Sequence, residues 1–127
     1  MKTKTERRVE FARLLSELIL RAYNEHGIEV AVYWWKRTTE QQQALYAIGR
    51  TVELEKRTVT DCDGIKKRSK HQDWLAGDLC IIDPGPFWVW EKDSRYETLG
   101  KIAKDLELTH GGDWGDNFHF EYKERPE

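Results

Sequence analysis

The sequence has few cysteines, no long hydrophobic run and no surplus of charge of one sign. Its apolar stretches fall short of the roughly 20 residues that a transmembrane helix needs, and its basic N-terminal segment lacks the apolar region of a secretory signal peptide. We therefore expect a protein made in the cytoplasm without a signal peptide and without stable membrane insertion. The 21 basic and 23 acidic residues give a formal net charge of −2, which argues against an electrostatic nucleic-acid binder.

Only two cysteines, Cys62 and Cys80, are present, and their spacing fits neither a disulfide framework nor a four-sulfur zinc site. Cys80 lies in an apolar run, which favours a reduced core residue. No internal repeat or Pro/Ser-rich linker divides the chain, and its 127 residues are too few for a second independent core. We expect a single domain spanning residues 1–127 that acts as a monomer.

Helix and strand patterns are interspersed along the chain. Between Thr5 and His26 apolar residues recur every three or four positions, which predicts an amphipathic helix that stops at Gly27. In the first half, the other predicted elements are a strand at 28–35, a helix capped by Thr38 or Thr39 and closed by Gly49, and a polar loop at 50–70. In the second half they are a strand at 75–83 ended by Pro84-Gly85-Pro86, a helix at about 95–107 opened by a Ser94–Glu97 capping box, a turn at 111–117 and a strand at 118–122. The order of elements shows no repeating βαβ pattern, and the sequence has no glycine-rich phosphate loop. The order therefore predicts an α+β domain with a mainly antiparallel central sheet and flanking helices.

One carboxylate falls on an apolar strand face. Because strand side chains alternate, Asp78 shares its face with Ala76 and Cys80. A buried carboxylate is costly unless it is paired, hydrogen-bonded or bound to a metal ion. In the last predicted strand His119 and Glu121 share a face in the same way. The chain thus offers an aspartate on one strand and a histidine on another.

A further histidine, His71, precedes the first of these strands, and two histidines with one carboxylate are a common ligand set for catalytic zinc. Zinc polarises a carbonyl and activates a water molecule, which amide hydrolysis requires. Asp116, three residues before His119, is a candidate general base. A His–Asp spacing of seven residues also arises by chance, and aspartate is common in turns, so spacing alone leaves the site open.

Three segments resemble the zinc D-Ala-D-Ala carboxypeptidase and phage endolysin family, peptidase family M15. "SKHQDWLAGDL" resembles that family's S-x-H-(x)6-D signature, and "GGDWGDNFHFEY" is similar to its closing motif, a Gly-Gly-Asp-aromatic turn leading to D-x-x-H-F. "KRTTEQQQALYAIGRT" is similar to the family's Arg-Ser/Thr-x-x-Glu-Gln helix with Leu-Tyr-x-x-Gly-Arg-Thr after it. The segments stand in the family's order and extend from about residue 30 to residue 122.

The resemblance implies a role for each matching side chain. His71, Asp78 and His119 would bind Zn²⁺ at the face of the sheet. Asp116 would be the general base, and Arg37 would stabilise the oxyanion of the tetrahedral intermediate. The resemblance implies, in addition, that Ser69 contacts the substrate or supports the ligand loop by hydrogen bonding.

Other residues near these motifs keep two interpretations. Glu121 either orients a ligand histidine or pairs with a surface lysine, and Trp74 and Trp114 either line the cleft or belong to the core. Trp74 also departs from the family pattern, because many members have glycine three residues after the first ligand histidine. His110, where the family often has an aromatic residue, and His26 are interpreted as non-ligands.

The resemblance implies a zinc metallopeptidase that hydrolyses an amide bond in peptidoglycan stem peptides. Small phage-type members lack a signal peptide and a separate wall-binding domain, which favours a phage or prophage endolysin with L-alanyl-D-glutamate endopeptidase activity. Such an enzyme acts on the cell wall after release through a partner's membrane lesion. A D-alanyl-D-alanine carboxypeptidase with the same zinc site is the close alternative. A non-catalytic, zinc-stabilised wall-binding or structural module is the alternative from another class.

Overall fold

The computed structural model describes residues 2–34, 37–83, 89 and 92–124. Its helices are α1 (Lys4–His26), α2 (Thr39–Ala47) and α3 (Arg95–Asp105), and its strands are β1 (Glu29–Trp34), β2 (Ala76–Ile82), β3 (Leu108–His110) and β4 (His119–Tyr122). Two short 3-10 helices complete the order: Lys70–Asp73, called the ligand turn below, and Gly111–Trp114, called the closing turn.

The four strands form one antiparallel sheet in the order β1-β2-β4-β3. β2 and β4 are therefore the central strands, although about 40 residues separate them in the chain. Their register places Asp78 opposite His119 and Ala76 opposite Glu121. The predicted α+β class with an antiparallel sheet is confirmed.

The hydrophobic core lies between one face of the sheet and the helices α1 and α3. Its fully buried members include Leu15 and Leu18 of α1, Leu99 of α3, Ile81 of β2 and Phe120 of β4. Each such side chain contributes about 1.5–3 kcal/mol when it leaves water. Because strand side chains alternate, this packing turns the neighbouring polar residues of β2 and β4 to the opposite face.

Helix α1 begins and ends where the sequence predicts. Thr3 and Glu6 form a reciprocal capping box at its start, and Gly27 stops it in the left-handed conformation with φ of 68°. Although α1 has 23 residues, no helix among the described residues is both long and apolar enough to cross a lipid bilayer. Both cysteines are free thiols, and Cys80 is buried, in agreement with the prediction.

The structure differs from the sequence prediction around α3. The predicted Ser94–Glu97 capping box does not form, since Ser94 has helical backbone angles and its side chain makes no capping hydrogen bond. Asp93 takes that role instead, because its Oδ1 accepts a hydrogen bond from the N–H of Arg95 at 2.9 Å. The strand β3 was not predicted. The predicted strand end at Pro84-Gly85-Pro86 lies outside the described residues.

Candidate metal centre

Three side chains converge at the sheet face opposite the helical layer. Nε2 of His71 lies 3.2 Å from Nδ1 of His119 and 3.3 Å from Oδ1 of Asp78, and these last two atoms are 3.7 Å apart. Among the residues that the structure describes, this is the one group of metal-binding side chains whose ligand atoms meet closely. The structure thus brings together the three residues that the sequence predicted as ligands.

The triangle has the size that a tetrahedral metal site requires. Zinc bonds of about 2.0–2.2 Å at tetrahedral angles place neighbouring ligand atoms roughly 3.3–3.6 Å apart. Oδ1 of Asp78 is buried and accepts no hydrogen bond of normal geometry from the described part of the chain. An unsatisfied buried oxygen is costly, and a cation held by the three atoms would remove that cost. The residues therefore fit a metal ion.

The same proximity sets the protonation of the metal-free site. Burial would raise the pKa of Asp78, but the imidazoles of His119 and His71 hold that pKa well below its usual range. Burial would lower the pKa of His119, but the neighbouring carboxylates of Asp78 and Glu121 raise it to about 9. Metal-free His119 is thus a cation at neutral pH, and metal binding must displace its Nδ1 proton.

The ligand turn places His71 in the site. The Ser69 hydroxyl accepts a hydrogen bond from the His71 N–H at 3.3 Å, and the Ser69 N–H donates to Oε1 of Gln72 at 2.9 Å. The N–H of Arg37 donates to the His71 carbonyl at 3.1 Å. Ser69 therefore supports the ligand turn by hydrogen bonding, which is one of the two roles that the family resemblance implies. Contact between Ser69 and the substrate stays a prediction.

Trp74 ends the ligand turn with φ of 62° and ψ of 26°, which is the left-handed conformation. Glycine, which many members of the resembled family have at this position, adopts such angles without strain. Trp74 is 43% exposed, so its indole is not a core side chain.

Arg37 reaches the site from the segment before α2. Its Nη2 lies 3.5 Å from Oδ2 of Asp78, so the two oxygens of this carboxylate face different partners. Nη1 of Arg37 donates to Oε1 of the buried Gln42 at 3.1 Å, and Nε2 of Gln42 donates to the carbonyl of Cys62 at 2.8 Å. A buried amide on α2 thus holds the guanidinium beside Asp78.

Asp116 lies between the closing turn and β4. Its N–H donates to the Gly111 carbonyl at 2.8 Å, and its carbonyl accepts from the His119 N–H at 3.2 Å. Burial and the negative charge of Asp78 raise the pKa of its carboxyl, which is the direction that a general base requires. A Cβ on Gly111 would lie 2.4 Å from the Asp116 carbonyl oxygen and 2.8 Å from Cβ of His119. Glycine at 111 therefore allows Asp116 and His119 to approach each other closely.

Glu121 makes both of the contacts that the sequence gave as alternatives, one with a histidine and one with a lysine. Its Oε1 accepts a hydrogen bond from Nε2 of His119 at 2.8 Å, and its Oε2 lies 3.1 Å from Nζ of Lys70. Trp114, which is 56% exposed, places its ring 5.6 Å from that of His119. Trp114 thus flanks the metal centre at the surface and does not belong to the core.

The other two histidines lie away from the centre, in agreement with the sequence interpretation. The ring of His110 stacks on Phe120 at 4.5 Å, and its Nε2 lies 2.8 Å from the Asn117 carbonyl oxygen. His110 thus occupies the place of an aromatic residue, as the sequence comparison with the family suggests. His26 lies at the end of α1 near Glu25.

Sequence reasoning missed two residues of the site. Lys70 precedes His71 and contacts Glu121. A single lysine in a basic segment of the sequence does not indicate a role in a metal site. Gln72 is buried, and its Nε2 donates to the Gly64 carbonyl at 3.1 Å. The S-x-x-Q spacing of Ser69 and Gln72 was the available signal, since it is that of a capping box.

No protein-family model matches the sequence. Several solved structures share its fold, including the following three. A variant of the vancomycin-resistance D,D-pentapeptidase VanY, from a VanB-type cassette and in complex with Zn(II), aligns with a TM-score of 0.63 at 18% identity, over 88% of this chain and 70% of that one. The L-Ala D-Glu endopeptidase ChiX of Serratia marcescens aligns with a TM-score of 0.57 at 19% identity, over 86% and 77%.

The third structure is the L,D-carboxypeptidase DacB of Streptococcus pneumoniae. It aligns with a TM-score of 0.59 at 20% identity, and this chain spans 65% of its length, just under two thirds. At these identities the likeness establishes the fold. The resemblance to M15-type peptidases is therefore confirmed at the level of structure.

Proposed function

We propose that this protein is a zinc-dependent peptidase that hydrolyses an amide bond in the stem peptides of bacterial peptidoglycan. The observation that carries the proposal is the triangle of His71, Asp78 and His119, which has the dimensions of a zinc site. Two further observations support it: Arg37 lies 3.5 Å from Asp78, and Asp116 is near enough to the three ligands for their charges to act on the pKa of its carboxyl. The choice of zinc is supported by the Zn(II) of the VanY structure, and the substrate class by the activities for which the three similar proteins are named.

Each residue around the triangle has a separate proposed role in amide hydrolysis. A zinc ion, when held by these three side chains, would supply the Lewis-acid chemistry of amide hydrolysis. Asp116 is the residue proposed to accept a proton from the attacking water and to deliver it to the leaving amine. Arg37, held by Gln42, presents a permanent positive charge where the oxyanion develops. Ser69 is proposed to contact the substrate from the edge of the ligand turn.

Within this class we favour an L-alanyl-D-glutamate endopeptidase of the phage endolysin type, acting on the cell wall after release. The close alternative is a D-alanyl-D-alanine carboxypeptidase. It stays a candidate because the similar structures comprise an endopeptidase, a D,D-pentapeptidase and an L,D-carboxypeptidase with comparable TM-scores.

Mass spectrometry of digested peptidoglycan distinguishes these activities. Purified sacculi with pentapeptide stems are incubated with the zinc-loaded protein, with and without chelator. An endopeptidase yields glycan-linked L-alanine and a released peptide that begins with D-glutamate, whereas a carboxypeptidase releases free D-alanine. Chelator-sensitive cleavage of neither bond, or cleavage that persists in chelator, contradicts the proposal.

Asp116→Asn tests the general base. We expect kcat to fall about 10²- to 10⁴-fold, because the amide cannot accept a proton, while zinc content and thermal stability stay near those of the wild type. The measurements are turnover of a synthetic stem peptide and bound zinc per protein. Asp113→Asn is the matched control, since Asp113 lies in the same segment but is exposed.

Wild-type turnover in Asp116→Asn with zinc retained shows that Asp116 is not the base. A zinc-loaded wild type without turnover on any stem peptide supports instead the non-catalytic zinc-stabilised module.

A further inference from the structure

We propose that Glu121 and Lys70 are positioning residues that present Nδ1 of His119 to the metal ion and tie together the two segments carrying the histidine ligands. The inference rests on the proposed zinc site, but it does not depend on the substrate. Its test therefore measures metal binding directly and is independent of hydrolysis.

The contact between Glu121 and His119 selects which ring nitrogen faces the site. Nε2 of His119 lies 2.8 Å from Oε1 of Glu121, while Nδ1 of the same ring points to His71 and Asp78. A carboxylate has no hydrogen to donate, so Nε2 carries a proton and Nδ1 is the ring nitrogen that faces the metal ion. A carboxylate behind a metal-binding imidazole fixes the orientation of the ring and raises its basicity.

Lys70 holds Glu121 in turn. Its Nζ lies 3.1 Å from Oε2 of Glu121 and donates a hydrogen bond to the Tyr122 carbonyl at 2.5 Å. With each oxygen of the carboxylate facing a different donor, Glu121 has little freedom to rotate away from His119. The ion pair is partly shielded, since the side chains of Lys70 and Glu121 are 36% and 21% exposed. A fully exposed pair would contribute little.

The position of Lys70 in the chain gives the contact a second effect. Lys70 is the residue before His71 and belongs to the ligand turn, whereas Glu121 and Tyr122 belong to β4, which carries His119. The side chain of Lys70 therefore joins the segment of one ligand to the segment of the other. Such a tie fixes the distance between the two ligand nitrogens before the metal ion binds, which is preorganisation of the site.

The test compares the zinc dissociation constants of purified, metal-stripped variants by competition with a chromogenic chelator. Glu121→Gln and Lys70→Met are each expected to weaken zinc binding about 10- to 100-fold. Lys70→Arg should restore most of the affinity, because arginine also donates to a carboxylate. The double variant should bind zinc about as weakly as Glu121→Gln alone, since both changes act through one chain of contacts.

The exposed pair Lys56–Glu53, at 2.9 Å in the loop after α2, provides the matched controls Lys56→Met and Glu53→Gln. These are expected to bind zinc as the wild type does. In nitrogen-15 NMR spectra of the zinc-loaded wild type, the Nε2 proton of His119 should exchange slowly with water. In the zinc-loaded Glu121→Gln variant, the same proton should exchange faster.

Wild-type affinity in Glu121→Gln and Lys70→Met overturns the inference, as does an equal loss in the control pair. Independent losses that add up in the double variant also overturn it. A wild type that binds no zinc at all refutes the proposed function instead, so the two failures are distinguishable.

Discussion

At the scale of single residues, Trp74 holds a backbone conformation that strains any side chain with a Cβ. Left-handed angles cost a residue other than glycine about 1–2 kcal/mol. The position directly follows the ligand turn, so strain here acts on the segment that carries His71. Strain stored beside a functional centre persists only where surrounding contacts hold it, and the Trp74 N–H donates to the Lys70 carbonyl.

Replacing Trp74 by glycine and by alanine separates backbone strain from loss of the indole. Both variants lose the side chain, but only glycine relieves the left-handed angles, so we expect Trp74→Gly to be about 1 kcal/mol more stable than Trp74→Ala. Denaturant unfolding of the metal-free proteins gives this difference. Glu107, with φ of 58° at the end of α3, provides the matched control, and its glycine and alanine variants should differ similarly. Equal stabilities of Trp74→Gly and Trp74→Ala contradict the assignment of strain.

At the scale of elements, the ligand turn depends on its cap. Ser69→Ala removes the acceptor of the His71 N–H, and loss of such a cap costs about 1 kcal/mol of folding free energy. Because the turn carries His71, we expect zinc affinity to fall together with stability. Thermal unfolding and zinc competition measure the two effects.

Thr3→Ala is the control for Ser69→Ala, because Thr3 forms the corresponding capping box at the start of α1, an element that carries none of the three ligands. It should lose similar stability with unchanged zinc affinity. An increase of KM in Ser69→Ala at saturating zinc would support the predicted substrate contact. Unchanged zinc affinity in Ser69→Ala would show that the cap does not position His71.

The sequence predicted the long elements well and the short ones poorly. Helix α1 repeats its apolar positions over six turns, so its period is unambiguous. Strand β3 has three residues, which is too short for an alternation to be read. The cap of α3 was misassigned because Ser94 and Asp93 are both suitable caps, and only the backbone angles show which one bonds.

For the metal centre, local patterns suggested candidates but gave no distances. The alternation along β2 and β4 predicted that Asp78 lies on an otherwise apolar strand face and that His119 shares a face with Glu121. Their pairing depends on the register of two strands about 40 residues apart in the chain, and register is set by the packing of the whole sheet. The ordered family motifs supplied what spacing alone left open. The contacts of Lys70 required the folded structure.

At the scale of the whole molecule, stability and metal binding are linked through His119. Its raised pKa of about 9 means that its charged form stabilises the metal-free fold fully below about pH 6.5, the ordinary value for histidine. That contribution is lost as pH rises through 9. Zinc has the opposite preference, because it must displace the Nδ1 proton.

We therefore expect the increase in Tm caused by zinc to grow as pH rises from 6.5 to 9, while the Tm of the metal-free protein falls. Thermal unfolding at buffered free zinc across this range measures both trends. The pKa of His110 is lowered by burial, so His110 titrates below this window. A zinc-induced Tm shift that does not change with pH contradicts the linkage.

The contact between Trp114 and His119 gives the metal centre its own optical reporter. The indole lies at the surface beside an imidazole whose charge depends on whether a proton or a metal ion occupies Nδ1. Tryptophan fluorescence responds to such a charge, so the emission of Trp114 follows occupancy of the site without any attached dye. The Trp114→Phe protein supplies the background of the other five tryptophans. The proposed uptake of a metal ion can thus be followed in real time by tryptophan fluorescence.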